Sequence, residues 1–155
     1  MRKLVMMLSA VIAIAGLVST AQAGDWSKDQ SAVWGVVSQS WEDEVARNGK
    51  WPADYIHKDV VSWGAEWPQP RGAASMVQWS RFSQERGKTL IYELFPTRVV
   101  VVGDTAVVNY HAVQVQENME KKTERTVTGL IETLVRDGDS WKFLELTSFE
   151  VKSAD

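Results

Sequence analysis

The sequence predicts an α+β fold in which helices come first and a meander of long antiparallel strands follows. Three observations predict it. Apolar residues recur at helical spacing up to about residue 85. The period then changes to two and stays so to the last residues. Turn signals, Gly103-Asp104 and Asp137-Gly138, separate the alternating runs. Helices grouped ahead of strands give a sheet with helices packed on one face.

The chain has 155 residues, a length that fits one domain. Residues 1–23 read as a signal peptide. Arg2 and Lys3 make a positive start, residues 4–18 are apolar apart from Ser9 and Gly16, and Ala21-Gln22-Ala23 is a cleavage signal. The apolar run is shorter than the roughly 20 residues a spanning helix needs. The expected domain is therefore residues 24–155, exported to a periplasm or secreted. There is no cysteine, which excludes a lipoprotein anchor and any disulfide and suits a bacterial periplasm. Removing Arg2 and Lys3 takes the formal charge from −3 to −5. An acidic chain of this kind is a poor nucleic-acid binder. Without a cationic amphipathic helix, no membrane partner is expected after cleavage.

The first helix is expected from Ser27, whose pairing with Gln30 is a capping box. Val33, Trp34, Val37, Trp41 and Val45 share one face. Lys28, Glu42, Asp43 and Arg47 lie elsewhere around the helix and are expected in solvent. Asn48-Gly49 ends it. A short second helix is expected over residues 52–56, with Pro52 in its first turn, and then a loop to residue 72. A third helix covers about residues 73–85 and stops at Gly87. Strands follow over 89–95 and 98–102, with a bend or bulge at Pro96, which cannot donate to a ladder. Further strands cover 105–116, 126–136 and 140–151.

Alternation assigns faces. Val107, Asn109, His111, Val113 and Val115 point one way, and Ala106, Val108, Tyr110, Ala112, Gln114 and Gln116 the other. Leu130, Glu132 and Leu134 share a side. Trp141, Phe143, Glu145 and Thr147 oppose Lys142, Leu144, Leu146 and Ser148. Both sheet faces carry apolar residues, so helices should cover one and a partner chain or ligand the other. A homodimer is the expected assembly.

The stretch YIHKDVVSWGAEWPQPRG, residues 55–72, gathers a histidine, acids and two tryptophans before a Pro/Gly-rich turn. With the helical start and the closing run VVVVGDTAVVNYHAVQVQ…GLIETLVRDGDSWKFLEL, it resembles the SnoaL-like group of the nuclear transport factor 2-like superfamily across residues 26–149. The resemblance implies a cone: three N-terminal helices packed on a curved antiparallel sheet, with a pocket at the open end. His57, Asp59 and Trp63 match the group's His-x-Asp…Trp stretch, and Asn109, Tyr110 and His111 match its polar-aromatic strand. Glu132 stands where an aspartate is common. The superfamily includes polyketide cyclases, ketosteroid isomerase, limonene epoxide hydrolase and non-catalytic binders, so the fold fixes no reaction. The paired Asp-Arg-Asp of the epoxide hydrolases has no counterpart here.

Asp59, flanked by Trp63 and Trp67, is the candidate general base: an apolar pocket would raise its pKa. His111 and Glu132 are the candidate assistants. Tyr55, His57, Trp63, Trp67, Tyr92 and Asn109 are the candidate pocket residues. The plain alternative makes Asp59 a local cap and His57 a turn residue. Trp34, Trp41, Trp79 and Trp141 are expected in the core. Arg71 either anchors an acidic group or pairs on the surface, and the surface pair is expected. There is no G-x-S-x-G, phosphate loop or H-E-x-x-H. With two histidines and no cysteine, neither a metal nor a cofactor is expected. Three functions stand: a binder of a small apolar or aromatic molecule, an isomerase or cyclase using Asp59, and an interaction module.

Overall fold

The computed structural model describes residues 26–64 and 67–151; the proposed signal peptide lies outside them. Helix α1 (Lys28–Ala46) begins with the capping box in both directions. The Gln30 amide N–H bonds to Ser27 Oγ at 3.2 Å, and the Ser27 N–H bonds to Gln30 Oε1 at 2.9 Å. The Gln30 side-chain amide also donates to the Val99 carbonyl at 2.8 Å, tying the helix start to the sheet. Arg47 adopts the left-handed conformation, φ 53°, at the C-terminus of α1, and Gly49, φ 84°, turns the chain away.

The described residues form two helices rather than three. Residues 51–55 make a turn, in which the Asp54 N–H bonds to the Lys50 carbonyl and the Tyr55 N–H to the Pro52 carbonyl. Five residues are too few to offset helix nucleation and leave most backbone groups unpaired. The expected loop then begins as a strand, β1 (Ile56–Gly64). Val60 and Ser62 point inward and Val61 and Trp63 outward, the period-two pattern of a half-buried strand. Helix α2 (Ala73–Arg86) follows. The remaining strands are β2 (Gly87–Val102), β3 (Thr105–Asn118), β4 (Thr123–Asp137) and β5 (Ser140–Glu150).

The sheet order is β1-β5-β4-β3-β2. Strands β2 to β5 form the antiparallel meander, while β1 runs parallel to β5 at the edge. Register shifts in β2 fall between Thr89 and Ile91 and between Pro96 and Arg98, the second at the proline that cannot join the ladder. Such bulges bend a sheet. A further bulge sets Leu134 opposite Phe143 but Thr133 opposite Glu145. The extra residue, Leu144, reverses the alternation of β5. Trp141 and Phe143 face inward as grouped, but beyond the bulge Leu146 packs on the core, where Glu145 and Thr147 were expected to continue the face.

The inner face holds Val99, Ala106, Val108, Tyr110, Ala112, Leu134, Trp141 and Phe143, and Val33 and Val37 of α1 press into it. Trp34 and Trp41 pack on this core. Trp79 does not: it is 42% exposed on α2. Asp43, expected in solvent, is buried, and its carboxylate accepts from Tyr55 Oη and Asn48 Nδ2.

Candidate functional site

One turn beyond Val37, α1 turns polar groups toward the sheet. The Trp41 indole N–H donates to Tyr110 Oη at 2.8 Å, and Tyr110 Oη donates to Glu132 Oε1 at 2.9 Å. Trp41 stacks on Tyr92 with ring centroids 5.8 Å apart, and Trp34 meets Tyr110 edge-on at 5.5 Å. Tyr110 on β3 and Glu132 on β4 lie on neighbouring strands with Val108 paired to Glu132 and Tyr110 to Leu130. The two side chains are therefore diagonal neighbours on one face, within reach of each other.

Glu132 is 3% exposed, and its Oε2 has no hydrogen-bond partner among the described residues. Burial pushes its pKa up to about 8; the Tyr110 bond opposes the rise and the charge of Glu44 adds to it. Burial also pushes Glu44 up to about 7. The Tyr110 hydroxyl is raised well above its ordinary value, first by burial and then by the Glu132 charge. Tyr110 is thus a lasting proton donor, and Glu132 and Glu44 hold their protons near neutrality, the condition for general acid or base work.

Glu44 retains some accessible surface. It lines a groove of about 670 Å³ between the end of α1, α2 and the adjoining ends of β2, β3 and β4. Val45, Phe82, Lys88, Gln116 and Glu124 also line it. Its charge is felt by both Tyr110 and Glu132, so the groove and the buried pair are electrostatically linked.

Solved structures with this arrangement of strands and helices are numerous at low identity. A ketosteroid isomerase-like protein from Erwinia carotovora atroseptica superposes with a TM-score of 0.73 at 11% identity, covering 83% of this chain and all of its own. A nuclear transport factor 2-like protein with a cystatin-like fold from Novosphingobium aromaticivorans gives 0.64 at 15%, covering 81% of this chain and 84% of its own. This chain has the nuclear transport factor 2-like fold. A conserved protein from Planctomyces limnophilus shares the fold, with a TM-score of 0.70 at 12% identity over 79% of this chain and 98% of its own. No protein-family model matches the chain, and no curated protein matches it.

Within this nuclear transport factor 2-like fold the residues singled out from sequence divide into separate places. Glu132 belongs to the interior, and Tyr92 is half-buried where it stacks on Trp41. Asp59 is exposed, and Lys58 Nζ lies 2.6 Å from its Oδ2. That contact first, and His57 last, hold its carboxyl below the usual range, the reverse of the shift an apolar pocket would give. His57 Nδ1 accepts from the Asp59 N–H at 3.2 Å, a local turn contact. His111 and Asn109 lie on the outer sheet face, opposite Tyr110 and Glu132. Tyr55 binds Asp43 and faces Trp51, not a hollow. Trp63 is 51% exposed on β1 and donates to the Trp67 carbonyl at 3.0 Å. Trp67 lines a second groove beside α2.

Asp59, His111 and Glu132 therefore do not converge. Trp41 and Tyr110 form the polar interior with Glu132 instead, and Glu44 lines the groove beside it. Glu44 had a signal in the sequence: it lies three residues after Trp41 and seven after Val37, on the apolar stripe of α1.

Proposed function

We propose that the protein is an exported binder of a small apolar or aromatic molecule. The ligand enters beside Glu44 and directs a hydrogen-bonding group to Glu132. The unpaired Oε2 of Glu132, at the end of the Trp41–Tyr110–Glu132 chain, carries this reading. A buried polar atom without a partner costs stability, and a ligand group at that atom offsets the cost. Aromatic rings around a few convergent polar groups are the usual lining of a small-molecule site. The signal-like residues 1–23 support export.

A second reading is a proton-transfer enzyme of isomerase type, favoured by the protonated state of Glu132 near neutral pH. The likeness to a ketosteroid isomerase-like protein agrees with it. In that case Glu44 and Glu132 take the part first given to Asp59.

Native mass spectrometry of the exported protein tests the first reading. A small molecule should co-purify with the parent and with Glu132→Gln, which keeps both hydrogen-bonding positions, and should be lost from Glu132→Leu. The isomerase reading requires Glu132→Gln to bind and not turn over. A parent that carries nothing, and binds no member of an aromatic small-molecule panel, rejects both.

A further inference from the structure

A second groove runs along α2 and shares Trp79 and Phe82 with the groove beside Glu44. Arg71 sits in the corner formed by two perpendicular indoles, with its guanidinium carbon 3.7 Å from the Trp67 ring centroid and 4.2 Å from that of Trp79. Trp79 continues into Phe82 at 5.3 Å, and Arg86 covers Phe82 at 5.0 Å. The ladder borders this groove of about 540 Å³, which also includes Pro68, Gln69, Pro70, Ser75 and Gln78.

The backbone holds this arrangement in place. The Arg71 N–H bonds to the Ser62 carbonyl and the Ser62 N–H to the Arg71 carbonyl, each at 2.8 Å. The Trp67 N–H bonds to the Gly64 carbonyl at 3.0 Å, while the Trp67 carbonyl accepts from the Trp63 indole at 3.0 Å. The groove is therefore formed before any ligand arrives, which lowers the ordering cost of binding.

We propose that this groove binds a ring-bearing carboxylate. The Trp67 and Trp79 planes lie 77° apart, so one indole at most stacks flat on the guanidinium and the other meets it at an angle, and Arg71 has no ion-pair partner among the described residues. Its planar fork matches a carboxylate. Among the described residues no aspartate or glutamate lines the groove, and Arg71 is the one charged lining residue. A cationic ligand would meet the like charge of Arg71 there. The exposed rings of Trp79 and Phe82 offer a surface on which an aromatic or sugar ring stacks while its carboxylate reaches Arg71. Glu132 does not line this groove, although Trp79 and Phe82 are common to it and to the groove beside Glu44.

The test uses the folded protein and four probes: phenylacetate, its neutral amide phenylacetamide, glucuronate and glucose. Binding is read by calorimetry and by the indole and guanidinium N–H signals in nuclear magnetic resonance. The expected result is that one carboxylate binds at least about tenfold more tightly than its neutral partner, as loss of a charged hydrogen bond implies. The signals of Arg71, Trp67 and Trp79 should move. Phenylacetate as the stronger probe assigns an aromatic acid, and glucuronate a sugar acid. Arg71→Gln should lose the preference for the carboxylate, Arg71→Lys should recover little of it because an ammonium offers no planar fork, and Glu132→Gln should leave it intact. Equal binding of acid and neutral partner by the parent protein, or no shift at Arg71 with millimolar carboxylate, overturns the proposal without any variant needing to fold.

Discussion

Glu132 is held by two opposing demands, since burial favours its neutral form and the Tyr110 hydroxyl favours the charged one. Burial dominates, so its pKa rises from 4.5 to about 8. Between those values the folded state binds more protons than the unfolded chain, and stability falls as pH rises. For one group the slope is at most about 1.4 kcal/mol per pH unit. Glu44, raised to about 7, acts in the same sense over a narrower range. Urea midpoints measured from about pH 5 to about pH 9 should therefore decline in the parent. Glu132→Gln should flatten the decline, and unchanged slopes would mean that Glu132 is ionised in the fold. The neighbouring indole offers a second measurement. Trp41→Phe keeps a ring to stack on Tyr92 but removes the donor to Tyr110, and should cost about 1 kcal/mol in the same titration. The place of Glu132 beside Leu130 and Leu134 was legible in alternation. Its partnership with Tyr110 was not, because it depends on the register of β3 against β4 across a polar connection, which alternation alone does not set.

At the scale of elements, the end of α1 and the start of β1 are joined by buried polar contacts. Asp43 accepts from Tyr55 and Asn48 and pairs with Lys50 at 3.5 Å. The Tyr55 bond, foremost, holds the Asp43 carboxyl below its usual range. A depressed carboxylate contributes stability that is present above 3.8 and is lost as pH falls through the folded value. Asp43→Ala should lower the Tm at neutral pH more than Tyr55→Phe, because it orphans four partners, Gln39, Asn48, Lys50 and Tyr55, rather than one. The gap between Asp43→Ala and the parent should narrow in acid; a constant gap would place the effect in packing. Helix α1 and the meander from β2 to β5 followed from capping, spacing and turn residues. Strand β1 did not. Its signal is divided between an inner pair, Val60 and Ser62, and an outer pair, Val61 and Trp63, and its partner β5 lies some eighty residues away. The reversal in β5 was also hidden, since a bulge leaves both halves of a strand looking regular.

The whole molecule leaves one broad surface unexplained by α1, α2 or the interior. The outer face of the sheet exposes Val61, Trp63, Ile91, Phe95, Ile131 and Phe149. Two neighbouring rows cross this face: Phe95 pairs with His111, His111 with Gly129 and Gly129 with Phe149, while Trp63 pairs with Thr147 and Thr147 with Ile131. The Phe149 ring lies over Gly129, where an added Cβ would come within 2.3 Å of it. Single exposed apolar residues need no partner, but a connected aromatic patch on a sheet face marks an interaction site. A two-fold homodimer that buries this face needs about 800 Å² per partner. If residues 1–23 are removed as proposed, Edman sequencing should return Gly24 first, and the protein should scatter light as a dimer at micromolar concentration. Ile131→Lys, at the centre of the patch and pointing away from the core, should give monomers that keep the parent's circular dichroism. Phe95→Glu, on another strand of the same face, should do likewise. An Arg71→Gln control, on the groove beside α2, should remain dimeric. If the parent is a monomer under these conditions, the outer face is open to other partners. If it is a dimer that both sheet-face variants leave intact, the interface lies elsewhere and the patch requires another occupant.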